Sequence, residues 1–286
     1  ASPTASPSAS PSASASPPAP SALPSGARVT VGFKNDQPNV SQLSPGTDVP
    51  TGFEPTLTNS VLHGLLGYQI TYSPISVSSW QKKLDDRTIQ LAVSAISYTS
   101  ERQKSYIFAG PYLKTNLGVL VSKDSTLTAA QVSTLHGLSV CYENDTTAAK
   151  AVDQLAVPGS GINKLGRSTA ADCLKDLQQN PDEVFVSDGI ILRGLSISSQ
   201  GADYRFIPSS LVSEPQEYVI ALRPDEVAEC LAIDKALGSY LSSPTSWYND
   251  FQGWFVDKAG SQADYENEYK PAAVKPEWCT PSSSQG

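Results

Sequence analysis

The chain has 286 residues, with 28 acidic against 20 basic side chains and a formal net charge of -8. That length suits two modest domains. The acidic balance and the lack of a Lys/Arg stripe exclude a nucleic-acid binder and electrostatic docking on anionic lipid, and no apolar run reaches the roughly 20 residues that cross a bilayer.

No stretch reads as a signal peptide, so a mature, processed chain is expected. Residues 1–26 (ASPTASPSASPSASASPPAPSALPSG) are almost entirely Ala, Ser and Pro. They have nothing to bury against the entropy of ordering, and Pro keeps such a chain extended, so a disordered, semi-stiff tether is expected. It reads as a spacer holding a domain off a surface, by inference from a lipid-bearing residue upstream of this sequence. The fold is expected to start at Arg28, where ARVTVGF alternates and is β-branched like a strand. An apolar helical pattern follows over residues 53–66 through Phe53, Leu57, Val61 and Leu65, stopped by Gly67. Next come a strand at Gln69–Ser73, a short helix around Trp80–Leu84 and a strand at Ile89–Ser94. Further strands fall at Gly118–Val121, Leu138–Tyr142 and Glu183–Val186, with helices near Ala129–Leu135, after Thr146, at Thr169–Gln178 and at Gly189–Ser196. Such alternation marks parallel α/β sheets. Tyr218–Leu222 reads as a strand, and Asp225–Tyr240 as an amphipathic helix with Val227, Leu231 and Leu237 inward. Residues 257–286 form a polar, Pro-rich tail carrying Trp278 and Cys279.

The four cysteines, Cys141, Cys173, Cys230 and Cys279, lack the close CxxC pairs of a zinc site, and neither His63 nor His136 stands beside a Cys pair. Two disulfides and an oxidising compartment are expected, with no metal and no cofactor. The position of Cys279 suggests that the tail is stapled back onto Cys230 of the late helix.

Catalytic signatures are missing: no GxSxG elbow, P-loop, GxGxxG or HExxH occurs, and two histidines give a nucleophilic Ser little choice of base. Three other stretches carry chemistry. In VSAISYTSER (93–102) a strand ends in small residues, and Arg102 follows within a turn. Ligands of open α/β sheets bind at strand C-termini, and a guanidinium there offers a fork for a carboxylate; alternatively, Arg102 is a surface cation and Ser97 a cap. In CYENDTTAAKAV (141–152) hydroxyls meet a helix N-terminus, an anion seat unless Asp145 or Thr146 merely caps. In VFVSDGIIL (184–192) Asp188 ends a strand and opens a helix, where it binds a cation such as an ammonium or caps. Together they describe an amino-acid site: Arg102 and Thr147 for the α-carboxylate, Asp188 for the α-ammonium.

With these motifs the chain resembles the family-3 extracellular solute-binding proteins of ABC importers, the group that binds polar amino acids. The matching residues are VGFKNDQP (31–38), GFEPTL (52–57), SYTSER (97–102), FAGPYL (108–113), DTTA (145–148) and SDGIIL (187–192). The resemblance covers about Arg28 to Val256, and KNDQP is most similar to the Gram-positive glutamate-binding branch, which carries Cys at positions like 141 and 173. It implies a type II periplasmic-binding-protein fold of two α/β lobes joined by two crossing strands. Residues 28–112 plus 217–256 would form lobe 1 and residues 113–216 lobe 2, with crossings near Tyr112–Thr115 and Ser213–Glu217. The expected disulfides are Cys141–Cys173 within lobe 2, the positions shared with that branch, and Cys230–Cys279 tying the tail to lobe 1.

By the same resemblance, Arg102 grips the ligand's carboxylate, Ser97 and Ala95 add hydroxyl or backbone contacts, and Thr147 and Asp188 follow from the second lobe. Gln37, Lys34 and Trp80 complete the candidate set. Ala95 stands where the family has Ser or Thr, Asp145 where it has Gly, and Trp80 where acidic-amino-acid binders often carry Arg. An indole offers an apolar or π face, not a cation, and Lys34 is the candidate replacement. The expected function is capture of an amino acid or related zwitterion for a membrane permease, by an extracellular monomer anchored through a lipidated N-terminus. The alternatives are a sensor domain of a signalling or cell-wall protein and a small-molecule dehydratase enlisting Glu143, Lys34 and Asp188.

Overall fold

The computed structural model describes residues 22–43, 46–198, 203–209, 211–212, 214–255 and 260–282. The alternating run Arg28–Phe33 forms a strand of the first sheet, with Val29 and Val31 buried. Strand Gln69–Pro74 pairs with it on one side and Leu91–Ala92 on the other, both parallel. The sheet continues through Gln216–Leu222 and ends at Ile107–Thr115, both antiparallel joins. The second sheet runs Asn163–Arg167, Ser139–Glu143, Val184–Asp188, Leu117–Ser122, Tyr204–Pro208, parallel over its first three strands and antiparallel over the rest. Each sheet is therefore mixed, where the sequence pattern pointed to parallel sheets. The antiparallel members include the two strands that cross between lobes, Ile107–Thr115 and Gln216–Leu222, paired from Thr115 with Gln216 to Ile107 with Leu222.

Helices cover the sheets with their apolar faces. Phe53 of the helix Phe53–Thr58 meets Trp247 and Phe251 of the helix Ser246–Phe255 edge-on, at 5.8 and 5.6 Å between rings. The Trp247 indole donates to the carbonyl of Tyr112 at 2.9 Å, anchoring that helix to the crossing strand. Two helical expectations shift in phase. Residues Asn59–Leu65 wind as a π-helix, so Leu65 turns outward at 53 % exposure while Val61 and Leu62 stay buried. In the helix Val227–Ser242 the buried face runs through Cys230, Ile233, Leu237 and Tyr240, and Leu231, one residue off that line, is 44 % exposed.

Both disulfides form as expected, Cys141–Cys173 and Cys230–Cys279. The tail is more structured than its composition suggested: Gln262–Tyr269 is a helix that buries Tyr265 and Tyr269, and Pro276–Cys279 is a short 3-10 turn on lobe 1. At the other end, the tether expectation for residues 1–21 lies outside the described residues. Its last residues are attached to the fold: the Leu23 amide donates to Glu229 at 2.8 Å, and Gly26 to the carbonyl of Gly67 at 2.9 Å. The packed chain thus begins several residues before Arg28.

Candidate functional site

A narrow cavity of about 40 Å³ lies between the lobes. A single water needs about 10–15 Å³, so the lobes have drawn together around room for only a few. Lobe 1 contributes Gln37, Trp80, the run Ser94–Ser97 and Arg102; lobe 2 contributes Glu143, the turn Thr146–Ala148, and Ser187–Asp188. Of the eight residues expected from the sequence, seven line this cavity; Lys34 does not.

Arg102 opens a 3-10 turn, Arg102–Lys104, and its amide donates to the Thr99 hydroxyl at 3.1 Å. Its Nη1 donates to the carbonyl of Ser97 at 2.6 Å, and the guanidinium carbon sits 5.8 Å from the centre of the Trp80 ring. The indole therefore forms a shelf under the guanidinium, a cation–π arrangement, and packs its other surroundings into the core with Tyr106 at 5.0 Å. Burial lowers the Arg102 pKa from its ordinary value, and the Asp188 carboxylate opposes that shift.

Asp188 stands at the N-cap of the helix Gly189–Ile197, yet its side chain makes no cap hydrogen bond. The crossing segment does that work: the Gly189 amide donates to the Asn116 carbonyl at 2.7 Å and the Ile190 amide to the Thr115 hydroxyl at 3.0 Å. Freed from capping, Asp188 accepts from the Tyr218 hydroxyl at 2.6 Å through Oδ2, while its Oδ1 is buried without a partner. Burial pushes its pKa up to about 6 against the pull of Tyr218 and Arg102. A buried carboxylate with a bare oxygen is a site that demands a cation or donor.

The DTTA turn resolves in the other direction. Thr146 is the cap of the helix Thr147–Leu155, accepting from the Ala149 amide at 3.0 Å and donating to the Glu143 carbonyl at 2.7 Å. Thr147 is then the first helical residue, facing the cavity with the free N–H groups of a helix start. Asp145 adopts φ 62, the left-handed conformation that a Gly at this position would take without strain.

Lys34 takes a different place from the one expected. Its ammonium lies 2.7 Å from Glu143 Oε1 and 3.5 Å from Asp36, with its side chain almost fully buried. The cation is thus held by Glu143 on the opposite lobe. Burial holds the Glu143 pKa above its ordinary value, against the pull of Lys34.

Glu54 had no role in the sequence reading although its motif was singled out. Its Oε1 accepts from the Ala95 amide at 2.6 Å and from the Tyr112 hydroxyl at 2.6 Å. That bond holds Ala95 at φ 52, so the cavity wall is set by a buried acid behind it. Burial pushes Glu54 up to about 7, opposed by Tyr112, Ala95 and Lys34.

The fold matches solved binding proteins. A substrate-binding protein of an ABC uptake transporter from Streptococcus pneumoniae, with bound histidine, aligns at TM-score 0.69 and 18% identity over 82% of this chain and 94% of that one. An arginine transport-system periplasmic binding protein from Legionella pneumophila aligns at TM-score 0.69 and 19% identity over 80% of this chain and 100% of that one. In sequence, the glutamate-binding protein GluB of Corynebacterium glutamicum is 25% identical over 260 residues, 88% of this chain and 84% of the relative. Residues 29–256 match the profile of a family described as bacterial extracellular solute-binding proteins, family 3, and this chain, with its two lobes and interlobe cavity, belongs to that family.

Proposed function

We propose that this protein captures an amino acid between its lobes and delivers it to the permease of an ABC importer. The observation that carries the reading is the facing pair of Arg102 from lobe 1 and Asp188 from lobe 2, one cationic and one with a bare buried oxygen, lining one narrow cavity. In this reading the α-carboxylate meets Arg102 and the N–H groups at Thr147, and the α-ammonium meets Asp188. Ser97 and Ala95 shape the wall behind the carboxylate. The moving bodies are residues 28–112 with 217–256 and residues 113–216, and closure is a hinge motion about the crossing strands.

The charge count favours a ligand with a neutral side chain. Among the described residues that line the cavity, Arg102 is the one cation, and Lys34 is already matched to Glu143. Gln37 and Trp80 offer an amide and a π face. A second carboxylate on the ligand would meet Glu143 without a cation of its own. The names of the glutamate-binding relatives support amino-acid capture, while this chain's cavity supports glutamine-like over glutamate-like side chains. We further propose an extracellular monomer, held to the membrane by a lipidated residue preceding the Ala/Ser/Pro run. Calorimetry and thermal shift against the amino acids test the reading: a neutral polar amino acid should bind and raise the melting temperature, and a protein that responds to none of them would refute it. A ligand at 100-fold its Kd adds about 2.7 kcal/mol of stability.

A further inference from the structure

The wall that carries Arg102 lacks a long regular element of its own, and within lobe 1 it leans on Trp80 under Arg102 and on the bond from the Tyr98 amide to the Glu217 carbonyl at 2.8 Å. Between Ser97 and Tyr106 the chain makes only turns and one 3-10 turn of three residues, and Ser100 and Glu101 are exposed. A segment of this kind opens at low free energy unless something packs on it. What packs on its outer side, opposite Trp80 and Phe108, comes from beyond the family match, which ends at residue 256.

The tail segment Lys275–Ser282 grips the wall on both sides of Arg102. On one side Trp278 stacks flat on Tyr98, with ring centres 3.8 Å apart and planes 7° from parallel. On the other, the Gln103 side chain donates to the carbonyls of Glu277 at 3.3 Å and Thr280 at 3.1 Å, and the Ser282 amide donates to the Gln103 carbonyl at 3.3 Å. The Tyr98 hydroxyl closes the loop by donating to Gln103 Oε1 at 2.6 Å. The segment itself is fixed at three further points. The Lys275 amide donates to the Gly110 carbonyl at 2.7 Å, its ammonium pairs with Glu217 at 2.6 Å, and Cys279 is bonded to Cys230. Gly110 and Glu217 belong to the two crossing strands.

We propose that this disulfide-stapled strap is a positioning element for the binding site: through Tyr98 and Gln103 it presets Arg102 for the ligand's carboxylate. The inference rests on the amino-acid reading above for its consequence, though not for the contact itself. Trp278 and Gln103 are positioning residues, since neither lines the cavity. Preset geometry removes an ordering cost that would otherwise be charged to binding.

Two measurements on the same variants test it. Hydrogen exchange of the ligand-free protein reads the strap directly: Trp278→Ala should speed exchange of amides 98–106 about tenfold, with the lobe 2 sheet unchanged. Calorimetry with L-glutamine and L-glutamate as probes reads the consequence: the Kd of whichever binds should rise about tenfold in Trp278→Ala and return most of the way in Trp278→Phe, which keeps a stacking ring. If Trp278→Ala does not fold, Gln103→Ala serves for both readings, because it leaves the disulfide and the stack in place. Unchanged exchange at 98–106, or faster exchange with an unaltered Kd, overturns the proposal. If neither probe binds the wild type, the glutamine-like side-chain preference is what fails, and exchange alone decides the strap.

Discussion

Lys34 of lobe 1 and Glu143 of lobe 2 meet at 2.7 Å, with their side chains only 4% and 10% exposed. Opening the lobes returns both charges to water, so this pair bears on closure and not on the folding of either lobe. Removing Glu143 leaves Lys34 in the closed form with only Asp36, the more distant partner at 3.5 Å on its own lobe, at a cost of up to about 3 kcal/mol. Glu143→Gln should therefore shift the ligand-free protein toward open shapes, visible as a larger radius of gyration in small-angle scattering, with an unchanged melting transition for lobe 2. A scattering profile identical to wild type would mean that the pair does not govern closure.

Arg102→Ala should abolish measurable ligand binding and leave the fold nearly intact. Removing one member of a buried, charge-assisted contact costs about 2–5 kcal/mol, roughly 30-fold to several thousand-fold in affinity. Arg102→Lys should recover little, because an ammonium cannot reproduce the fork or lie flat on Trp80. Wild-type-like affinity in the alanine variant, measured by calorimetry, would take the ligand's carboxylate away from this residue.

The pH response has two opposite parts. In the ligand-free protein, Asp188 is raised from 3.8 to about 6 and Glu54 from 4.5 to about 7, both by burial. The folded form thus holds protons that the unfolded chain has lost. Stability from these groups is full below their ordinary values and declines as pH rises through about 6 and 7, so the ligand-free protein should melt higher at pH 5 than at pH 8. Ligand binding runs the other way. An ammonium on Asp188 favours the ionised carboxylate, so affinity should fall as pH drops below about 6, with proton uptake by the buffer. Calorimetry at pH 5.5 in buffers of different ionisation heat measures that transfer; no transfer would remove Asp188 from the ammonium.

The two disulfides should separate stability from binding. Cys141–Cys173 spans 32 residues within lobe 2, away from the cavity. Replacing both with Ser should cost about 3–4 kcal/mol of stability and leave the Kd where it is. The double Ser replacement at Cys230 and Cys279 should cost a similar amount and weaken the ligand as well. Equal effects on the Kd from both pairs would contradict this division.

Truncation should show a step. Deleting residues 1–21 should leave the melting temperature alone, as their composition offers nothing to pack. Deleting through Ser25 removes the Leu23 amide from Glu229, a side chain 6% exposed. A lost bond to a buried carboxylate costs about 1.5–3 kcal/mol, so the shorter protein should melt several degrees lower. Identical melting of the two truncations would show that the Leu23 contact contributes nothing.

Much of this site was legible because it is built at strand ends. Arg102 and Ser97 follow, and Asp188 ends, a strand whose apolar run is plain in the sequence. Glu54 was not, since its meaning depends on Ala95 and Tyr112, 41 and 58 residues away, which only folding brings together. Lys34 was legible as a buried-site cation but not as the property of Glu143, 109 residues distant. In the second sheet, the edge strands Asn163–Arg167 and Tyr204–Pro208 escaped notice: an edge strand buries little, and NKLGR carries almost no apolar signal. The tail helix QADYENEY was hidden likewise, because only Tyr265 and Tyr269, one turn apart, are buried.

Both crossing strands converge on Asp188: Tyr218 of one holds its carboxylate, while Thr115 at the end of the other takes over the helix cap that Asp188 leaves. A residue in that position cannot be changed for one purpose only. A substitution at Asp188 that alters which ligand the cleft accepts also alters the mechanics of the linkage between lobes, and so the residence time of whatever is bound. Selection for a new nutrient would have to proceed elsewhere, at Gln37 or Trp80, where the lining can vary without touching the joint.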